Sequence, residues 1–249
     1  MRSVSFVPVR DALVLAAGNG DRFQNSAGQS KLLQPVLGQP LILRTIHTAA
    51  QAGLTTFEIV LGYQADAVRD LIERHLPAGT AAHFTYNPDW HLENGVSALA
   101  ARQRLHDRRF ALLMGDHLFD AAVLSRLSRL EMGVDESILA IDTRPVAPEI
   151  AAEATKVQLD GQRIIAIGKM LETYDALDTG LFICAPSLFA ALDGATAAGD
   201  TTLSGGIRRL AAERLMLGAE VGDAVWYDID TVDDLTAAEG HLAALPESA

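Results

Sequence analysis

Through its first half the chain repeats one pattern: a short apolar run, a turn, then a helix with a single apolar stripe. Ala12 to Ala17 (ALVLAA) reads as a strand buried on both faces and runs straight into Gly18. Pro40 to Gly53 predicts a helix: Pro40 suits its first turn, Ile42, Ile46, Ala49 and Ala50 share a stripe, and Gly53 stops it. Phe57 to Leu61 reads as a second buried strand, Ala65 to His75 as a helix and His83 to Tyr86 as a short strand. Val96 to Leu105 then predicts a helix and Phe110 to Met114 a fourth strand. Strand–helix–strand connections of this kind cross over right-handed, which constrains the fold to a largely parallel sheet covered on both faces.

The second half breaks the pattern. Lys156 to Leu159, Asp160-Gly161 and Arg163 to Ile167 form a hairpin signal, with Asp-Gly as the turn. Leu177 to Cys184 and Val225 to Ile229 are strand candidates; Leu203 to Leu215 and Val232 to Ala244 are helix candidates. The expectation is an α/β fold: one Rossmann-like domain over residues 1–249, its mixed, mostly parallel sheet carrying a small antiparallel appendage. Such sheets bind ligands beyond the carboxyl ends of their strands, where strand order reverses. Here that means just after Ala17, Tyr86 and Met114.

Composition narrows the partners. The 249 residues carry a net charge of −12, with 20 basic against 32 acidic side chains. That balance argues against nucleic acid and anionic membrane surfaces as partners, since both select basic faces. Cys184 is the single cysteine, so no internal disulfide forms and a reducing cytoplasm is the expected setting. The N-terminus lacks the continuous apolar core of a signal peptide, and the uncharged stretch Thr179 to Leu192 is too short to span a bilayer. Only three of the basic residues are lysines, Lys31, Lys156 and Lys169, so each poses the question of why a compact ammonium stands there.

Four segments carry the candidate chemistry. The loop Leu15-Ala16-Ala17-Gly18-Asn19-Gly20, followed by Arg22 and Lys31, can bring successive N–H groups and two cations to phosphate oxygens. A dinucleotide fingerprint would need glycine where Phe23 stands, and a Walker A loop fails because Gly168-Lys169 is followed by Met170. Asn94, Gly95 and Ser97 fall at a helix start, where they either cap it or meet a ligand. Asp116, at the end of a strand, can hold Mg²⁺ or be a solvated turn residue, and His117 can contact a substrate phosphate or simply pack. Asp228 and Asp230 share one face of an extended run and, with Asp116, would form a metal site; Thr231, Asp233 and Asp234 also read as a helix start.

The run LAAG-x-G-x-R-F, then Lys31-Leu32-Leu33 and Gly38-Gln39-Pro40-Leu41-Ile42, resembles the signature of the nucleotidyltransferases that share the sugar-nucleotide pyrophosphorylase (nucleotide-diphospho-sugar transferase) fold, the MobA-like NTP transferases among them. That family usually has proline before the lysine, where this chain has Ser30. Gly115-Asp116-His117, Ala154-Thr155-Lys156-Val157, Ile167-Gly168-Lys169 and Asp178-Thr179-Gly180-Leu181-Phe182 bring it nearest to the CTP:inositol-1-phosphate cytidylyltransferases. The resemblance implies Asn94, Gly95 and Ser97 at the pyrimidine and ribose, Lys169 at the acceptor's phosphate, and Asp178 and Gly180 beside its alcohol part. Some of these enzymes are fused to a membrane-embedded phosphotransferase, and the absence of one from these 249 residues predicts a stand-alone version with a soluble product.

The resemblance further implies Mg²⁺-dependent transfer of a cytidylyl group to a phospho-alcohol, with inositol 1-phosphate the leading acceptor. Arg22, Lys31, Asp116 and Lys169 would be the working side chains, and Asp116, Asp228 and Asp230 the metal ligands. Partners would be small molecules, not nucleic acid or membrane. The alternatives are UTP or another triphosphate paired with a sugar phosphate, phosphocholine or a molybdenum-cofactor precursor, and a non-catalytic nucleotide-binding module. Alanine-rich helices over Ala98 to Leu105 and Ala237 to Leu245 are candidate homodimer faces, with core packing the simpler account.

Overall fold

The computed structural model of the chain describes residues 8–20, Phe23 and residues 28–244. In chain order the first strands are β1 (Asp11–Ala16), β2 (Pro35–Val36), β3 (Gln39–Pro40), β4 (Thr56–Leu61), β5 (Ala81–Tyr86), β6 (Phe110–Met114) and β7 (His117–Phe119). The helices among them are α1 (Leu41–Gln51), α2 (Ala65–His75), α3 (Asn94–Ala100), α4 (Arg102–Leu105) and α5 (Ala121–Leu127). Next come β8 (Ser137–Asp142), α6 (Pro148–Glu153), β9 (Lys156–Asp160), β10 (Arg163–Gly168) and β11 (Ala176–Cys184). The chain continues through α7 (Ser187–Ala197), α8 (Leu203–Ala212), β12 (Met216–Glu220), β13 (Trp226–Asp228) and α9 (Val232–Ala244).

Nine of these strands form one sheet in the order β5-β4-β1-β6-β11-β8-β12-β10-β9. The β5-β4-β1-β6 half is parallel, as the crossover pattern predicts, and β11 enters antiparallel between β6 and β8. Period-two alternation sorts the side chains. Leu13 and Leu15 of β1 face α3, α7 and α8, while Ala12, Val14 and Ala16 face α1, α2 and α5. Because β1 lies between β4 and β6, chain order reverses beside it, and the crevice past Ala16 is the place to look for a site.

Several boundaries differ from expectation for physical reasons. The helix expected over Val96 to Leu105 is two helices, broken at Ala101, whose N–H turns back to the Ala98 carbonyl. Ala98, Ala101 and Leu105 are buried in the core, so these positions serve packing within the chain. Ala238 of α9 is likewise buried, whereas Leu245 lies outside the described residues. In the β9–β10 hairpin Asp160 pairs with Arg163, so the two loop residues are Gly161 and Gln162; Gly161 has φ +60°, the left-handed value that glycine supplies without strain. Strands β8 and β12 carry no sequence expectation at all.

The strand expected over Val225 to Ile229 exists as β13 but does not join the large sheet. It pairs antiparallel with β7, setting Asp228 opposite His117, and a small core of Val36, Leu41, Leu118, Ile229 and Ala238 backs this pair against α9. Asp142, buried at the end of β8, ties the pair to the sheet: it accepts from Trp226 Nε1 at 2.7 Å and from the Arg144 guanidinium at 2.6 and 2.9 Å. Among the described residues no helix is long and apolar enough to cross a membrane.

Asp142→Ala leaves the indole N–H of Trp226 without its acceptor, and we expect a loss of ~1–3 kcal/mol in urea unfolding. Trp226 emission should shift to the red, and the shift should vanish in a Trp226→Phe background. Unchanged emission would mean that Asp142 does not anchor the β7–β13 pair.

Candidate active site

The site begins where β6 leaves the sheet. Gly115 donates its N–H to the Leu15 carbonyl at 2.9 Å, and a Cβ there would lie 3.0 Å from that same oxygen and from Ile42 Cδ1. Glycine therefore lets the chain hug β1 and deliver Asp116 to the crevice. Thr45 of α1 holds the turn from below, its hydroxyl donating within reach of the Gly115 and His117 carbonyls, at 3.1 and 3.0 Å.

His117 is buried among acids. Its Nδ1 lies 3.1 Å from the Thr179 carbonyl, which can only accept, so Nδ1 carries a proton. Its Nε2 lies 3.4 Å from Asp228 Oδ1 and 3.9 Å from Asp116 Oδ1. Burial alone would lower the imidazole pKa, but Asp228, Asp116 and the Thr179 carbonyl outweigh it and raise the value to about 9. The ring is an imidazolium at neutral pH, a double donor with no lone pair for a metal. Gly180, at φ +75°, makes room for it: a Cβ there would lie 2.2 Å from His117 Cε1. The Gly180 N–H donates to Asp178 Oδ1 at 2.8 Å, and Thr179 Oγ1 donates to the Ala140 carbonyl at 2.8 Å. Burial pushes the Asp178 carboxyl up to about 6, against the opposing pull of the Gly180 N–H and of His117.

Lys31 reaches the same acids from the other end of the chain. Its ammonium lies 2.7 Å from Asp116 Oδ2, 3.0 Å from Asp230 Oδ1 and 2.9 Å from the Ile229 carbonyl, and the residue is 7% exposed. Burial disfavours the charge, but Asp116 and Asp230 more than compensate and hold its pKa above the usual lysine value. Asp228 and Asp230 both turn to the Asp116 cluster while Ile229 between them is buried in the core, as the alternation argument expects. β13 ends at Asp228, and Asp228 meets His117 while Asp230 meets Lys31. The helix-start reading holds for Asp234, which accepts from the N–H groups of Asp230 and Thr231 and from the Thr231 hydroxyl.

The loop before Lys31 rests on residues that carry no local sequence signal. Gln64, in the left-handed region at φ 50°, accepts from the Ser30 N–H at 2.9 Å and donates to the Gly28 carbonyl at 2.9 Å; the Tyr63 hydroxyl donates to the same carbonyl. Ser30 has φ −53°, a value proline also takes, but only serine's N–H can serve Gln64. A Cβ on Gly20 would lie 3.0 Å from Lys31 Cγ, so the glycine loop lies directly on the lysine stem, whereas a Cβ on Gly18 would meet no atom within 4 Å among the described residues. Leu15, Ala16 and Ala17 are buried in the core, and the carbonyls of Leu15 and Ala17 serve Gly115 and Tyr63; Asn19 is half-exposed beside Gly20. Arg22 lies outside the described residues.

At the start of α3 Asn94 does not cap its own helix, one of the two readings open to it. Asn94 Oδ1 accepts from the Leu203 N–H at 2.9 Å and so caps α8, 109 residues away, while Gly95 lies so close that a Cβ would meet the Thr201 carbonyl at 2.5 Å. Ser97 is buried and accepts from Asn87 Nδ2 at 3.0 Å. Lys169 is exposed in the turn after β10, and its carbonyl accepts from buried Lys156 Nζ at 2.6 Å. Lys31, Asp116, His117, Asp178, Gly180, Asp228 and Asp230 thus converge on one cluster; Asn94, Gly95 and Ser97 line a neighbouring helix start, and Lys169 stands on the hairpin. A groove of about 480 Å³ lined by Asp11, Glu58, Arg104 and Arg108 lies at the opposite, amino-terminal end of the strands.

The fold and this cluster at the carboxyl end of its parallel strands define a nucleotide-diphospho-sugar transferase architecture. The solved inositol-1-phosphate CTP transferase from T. maritima superposes with a TM-score of 0.83 over 97% of this chain and 98% of its own, at 22% identity. The model of the MobA-like NTP transferase domain matches residues 12–155, and the chain belongs to that family. It is 35% identical over 92% of its length to the bifunctional IPC transferase and DIPP synthase of Rubrobacter xylanophilus, and 31% identical over 94% to that of Aquifex aeolicus. The chain spans about half the length of these relatives, 51% and 52%.

The His117 environment has a pH signature. Its folded pKa of about 9 exceeds the unfolded value of ~6.5, so its stabilising contribution is complete below ~6.5 and is lost as the pH rises through about 9. In metal-free buffer the unfolding free energy of the wild type should fall relative to His117→Asn across that window, and imidazole NMR should show both ring nitrogens protonated at pH 7.5. A neutral ring at that pH would contradict the assignment.

Proposed function

We propose that this chain transfers a cytidylyl group from CTP to a phospho-alcohol, with inositol 1-phosphate the leading acceptor, giving a CDP-alcohol and pyrophosphate. The observation that carries the reading is the convergence of Lys31, Asp116, Asp228 and Asp230, from opposite ends of the sequence, beyond β1 and β6 in a member of an NTP transferase family. The choice of substrates follows the sequence resemblance and the name of the superposed inositol-1-phosphate CTP transferase.

The donor set suits a hard divalent cation. Ligand atoms of Asp116, His117 and Asp228 lie within 4.8 Å of one another, and with His117 protonated the two carboxylates are the oxygen ligands, which Mg²⁺ prefers. Bound there, Mg²⁺ supplies charge neutralisation and Lewis-acid polarisation at the α-phosphate. Asp230, held across Lys31, is the more distant member of the set.

The chain's own residues bind and align. A phosphate monoester has a second pKa of ~6, so near neutrality the acceptor is already a dianion and no general base is required. Its oxygen bonds to the α-phosphorus as the α,β-bridging P–O bond breaks, and pyrophosphate leaves with that bonding pair. Lys31 and Arg22 serve the departing pyrophosphate, Lys169 the acceptor phosphate, and His117 donates from Nε2 to a phosphate oxygen. Such preorganised charges dominate phosphoryl and nucleotidyl transfer. Asn94 offers the nucleotide its amide N–H groups, since its oxygen is committed to α8, and Ser97 stands one turn into the same helix. Asp178 and Gly180 flank the alcohol part. We read residues 1–249 as one such domain acting on soluble substrates in the cytoplasm, where the buried Cys184 thiol stays reduced.

Pyrophosphate release should require Mg²⁺, CTP and inositol 1-phosphate together. Release with CTP and a different phospho-alcohol would replace the acceptor; release with UTP and a sugar phosphate would replace both substrates. Asp116→Ala should lower turnover by at least ~10²–10³-fold while the fold survives by circular dichroism. Near-normal turnover in that variant would remove the ligand assignment.

A further inference from the structure

Lys31 and Asp116 are each engaged in a way that conflicts with their working roles. Lys31 donates to Asp230 Oδ1 and the Ile229 carbonyl, at 3.0 and 2.9 Å, and its ammonium forms an ion pair with Asp116 Oδ2 at 2.7 Å. Its charge is thus engaged by protein oxygens rather than by a pyrophosphate. Asp116 is divided as well: Oδ2 lies on Lys31 and Oδ1 faces His117 at 3.9 Å. A divalent cation on Asp116 would then stand against an ammonium bound to the same carboxylate, and two cations so close repel strongly. One exchange resolves both conflicts, and the lysine is suited to it: a flexible four-carbon stem, lying against a glycine, carries a compact charge.

We propose that Lys31 is the built-in counter-ion of the carboxylate cluster, that a divalent cation and the Lys31 ammonium compete for Asp116, and that the displaced ammonium becomes the donor to the leaving pyrophosphate. The inference rests on the metal-assisted reading of the site and adds the order of events: the cation takes Asp116, and only then is Lys31 available to phosphate. The lysine keeps the acids neutralised, and the metal both replaces it and sets it free.

The three lysines make the test direct. Limited acetylation followed by peptide mass spectrometry reports Lys31, Lys156 and Lys169 separately, with exposed Lys169 as the internal reference and buried Lys156 as the control. Mn²⁺ alone, without nucleotide, should raise Lys31 labelling by ~fivefold or more and leave Lys156 unchanged, a coupling of ordinary size between two occupants of one site. In parallel, Lys31→Met should tighten Mn²⁺ binding by on the order of tenfold, and Lys156→Met should not. The wild-type labelling needs no variant to fold. Saturating Mn²⁺ with Lys31 as protected as before would overturn the exchange while leaving the metal reading intact. Failure of Mn²⁺ to bind at all would overturn both.

Discussion

The short antiparallel pairing of β13 with β7 is what the site depends on. Three residues on each side put Asp228 across from His117 and carry Asp230 on to Lys31, closing a ring of charge from segments that are otherwise remote in sequence. Two backbone strands in register fix these side chains more sharply than a loop could, and the Asp142–Trp226 hydrogen bond and the α9 core hold the ribbon at the sheet end. Carboxylates brought together this way repel unless cations stand among them. The imidazolium of His117 and the ammonium of Lys31 do so from within, which lets an acidic chain assemble an acidic cluster.

A second constraint joins the two flanks of the crevice. Asn94 caps α8 and Gly95 lets α3 lie against its first turn, so the helix start assigned to the nucleotide is braced on α8. That same helix packs against β10, the strand that ends at Gly168 and leads into Lys169. A change at either end of α8 therefore bears on both flanks, and the fold sets their separation through one rigid element.

The parts of the fold readable from sequence are those whose signal is local. Ala65–His75 has the apolar stripe of a helix, Val232–Ala244 has the acidic first turn of one, and Ala12 to Ala17 is an apolar run that suits a buried strand. β8 and β12 escaped for opposite reasons. SILAID is buried on both faces and shows no alternation, while MLGAE is short, with a glycine at its centre and an acid at its end. Within the site, Asp116 and His117 were legible because they follow a recognisable strand, and Lys31 because it follows the glycine loop and is one of three lysines. Gln64, Thr45 and the Asn94–Leu203 contact were not, because each acts on backbone 34 to 109 residues away. The alternation carries on past the end of β13, because Ile229 stays buried in the core and leaves Asp228 and Asp230 to the cluster on either side of it.

The placement of the three lysines has a physical reason of its own. Lys31 sits in a nest of three oxygens 2.7 to 3.0 Å away, and Lys156, also buried, donates to the Lys169 carbonyl with its ammonium 5.9 Å from the Tyr174 ring centroid. Both are places for a small cation with donors pointing in divergent directions. The planar fork of arginine suits parallel donation to one carboxylate, as Arg144 shows on Asp142. Lysine therefore marks enclosed positions in a chain that otherwise uses arginine. Lys169 is the exception, because its side chain is exposed and its fixed atom is its carbonyl. Lys156 holds that carbonyl in place, which leaves the Lys169 ammonium positioned at its base and able to meet a ligand.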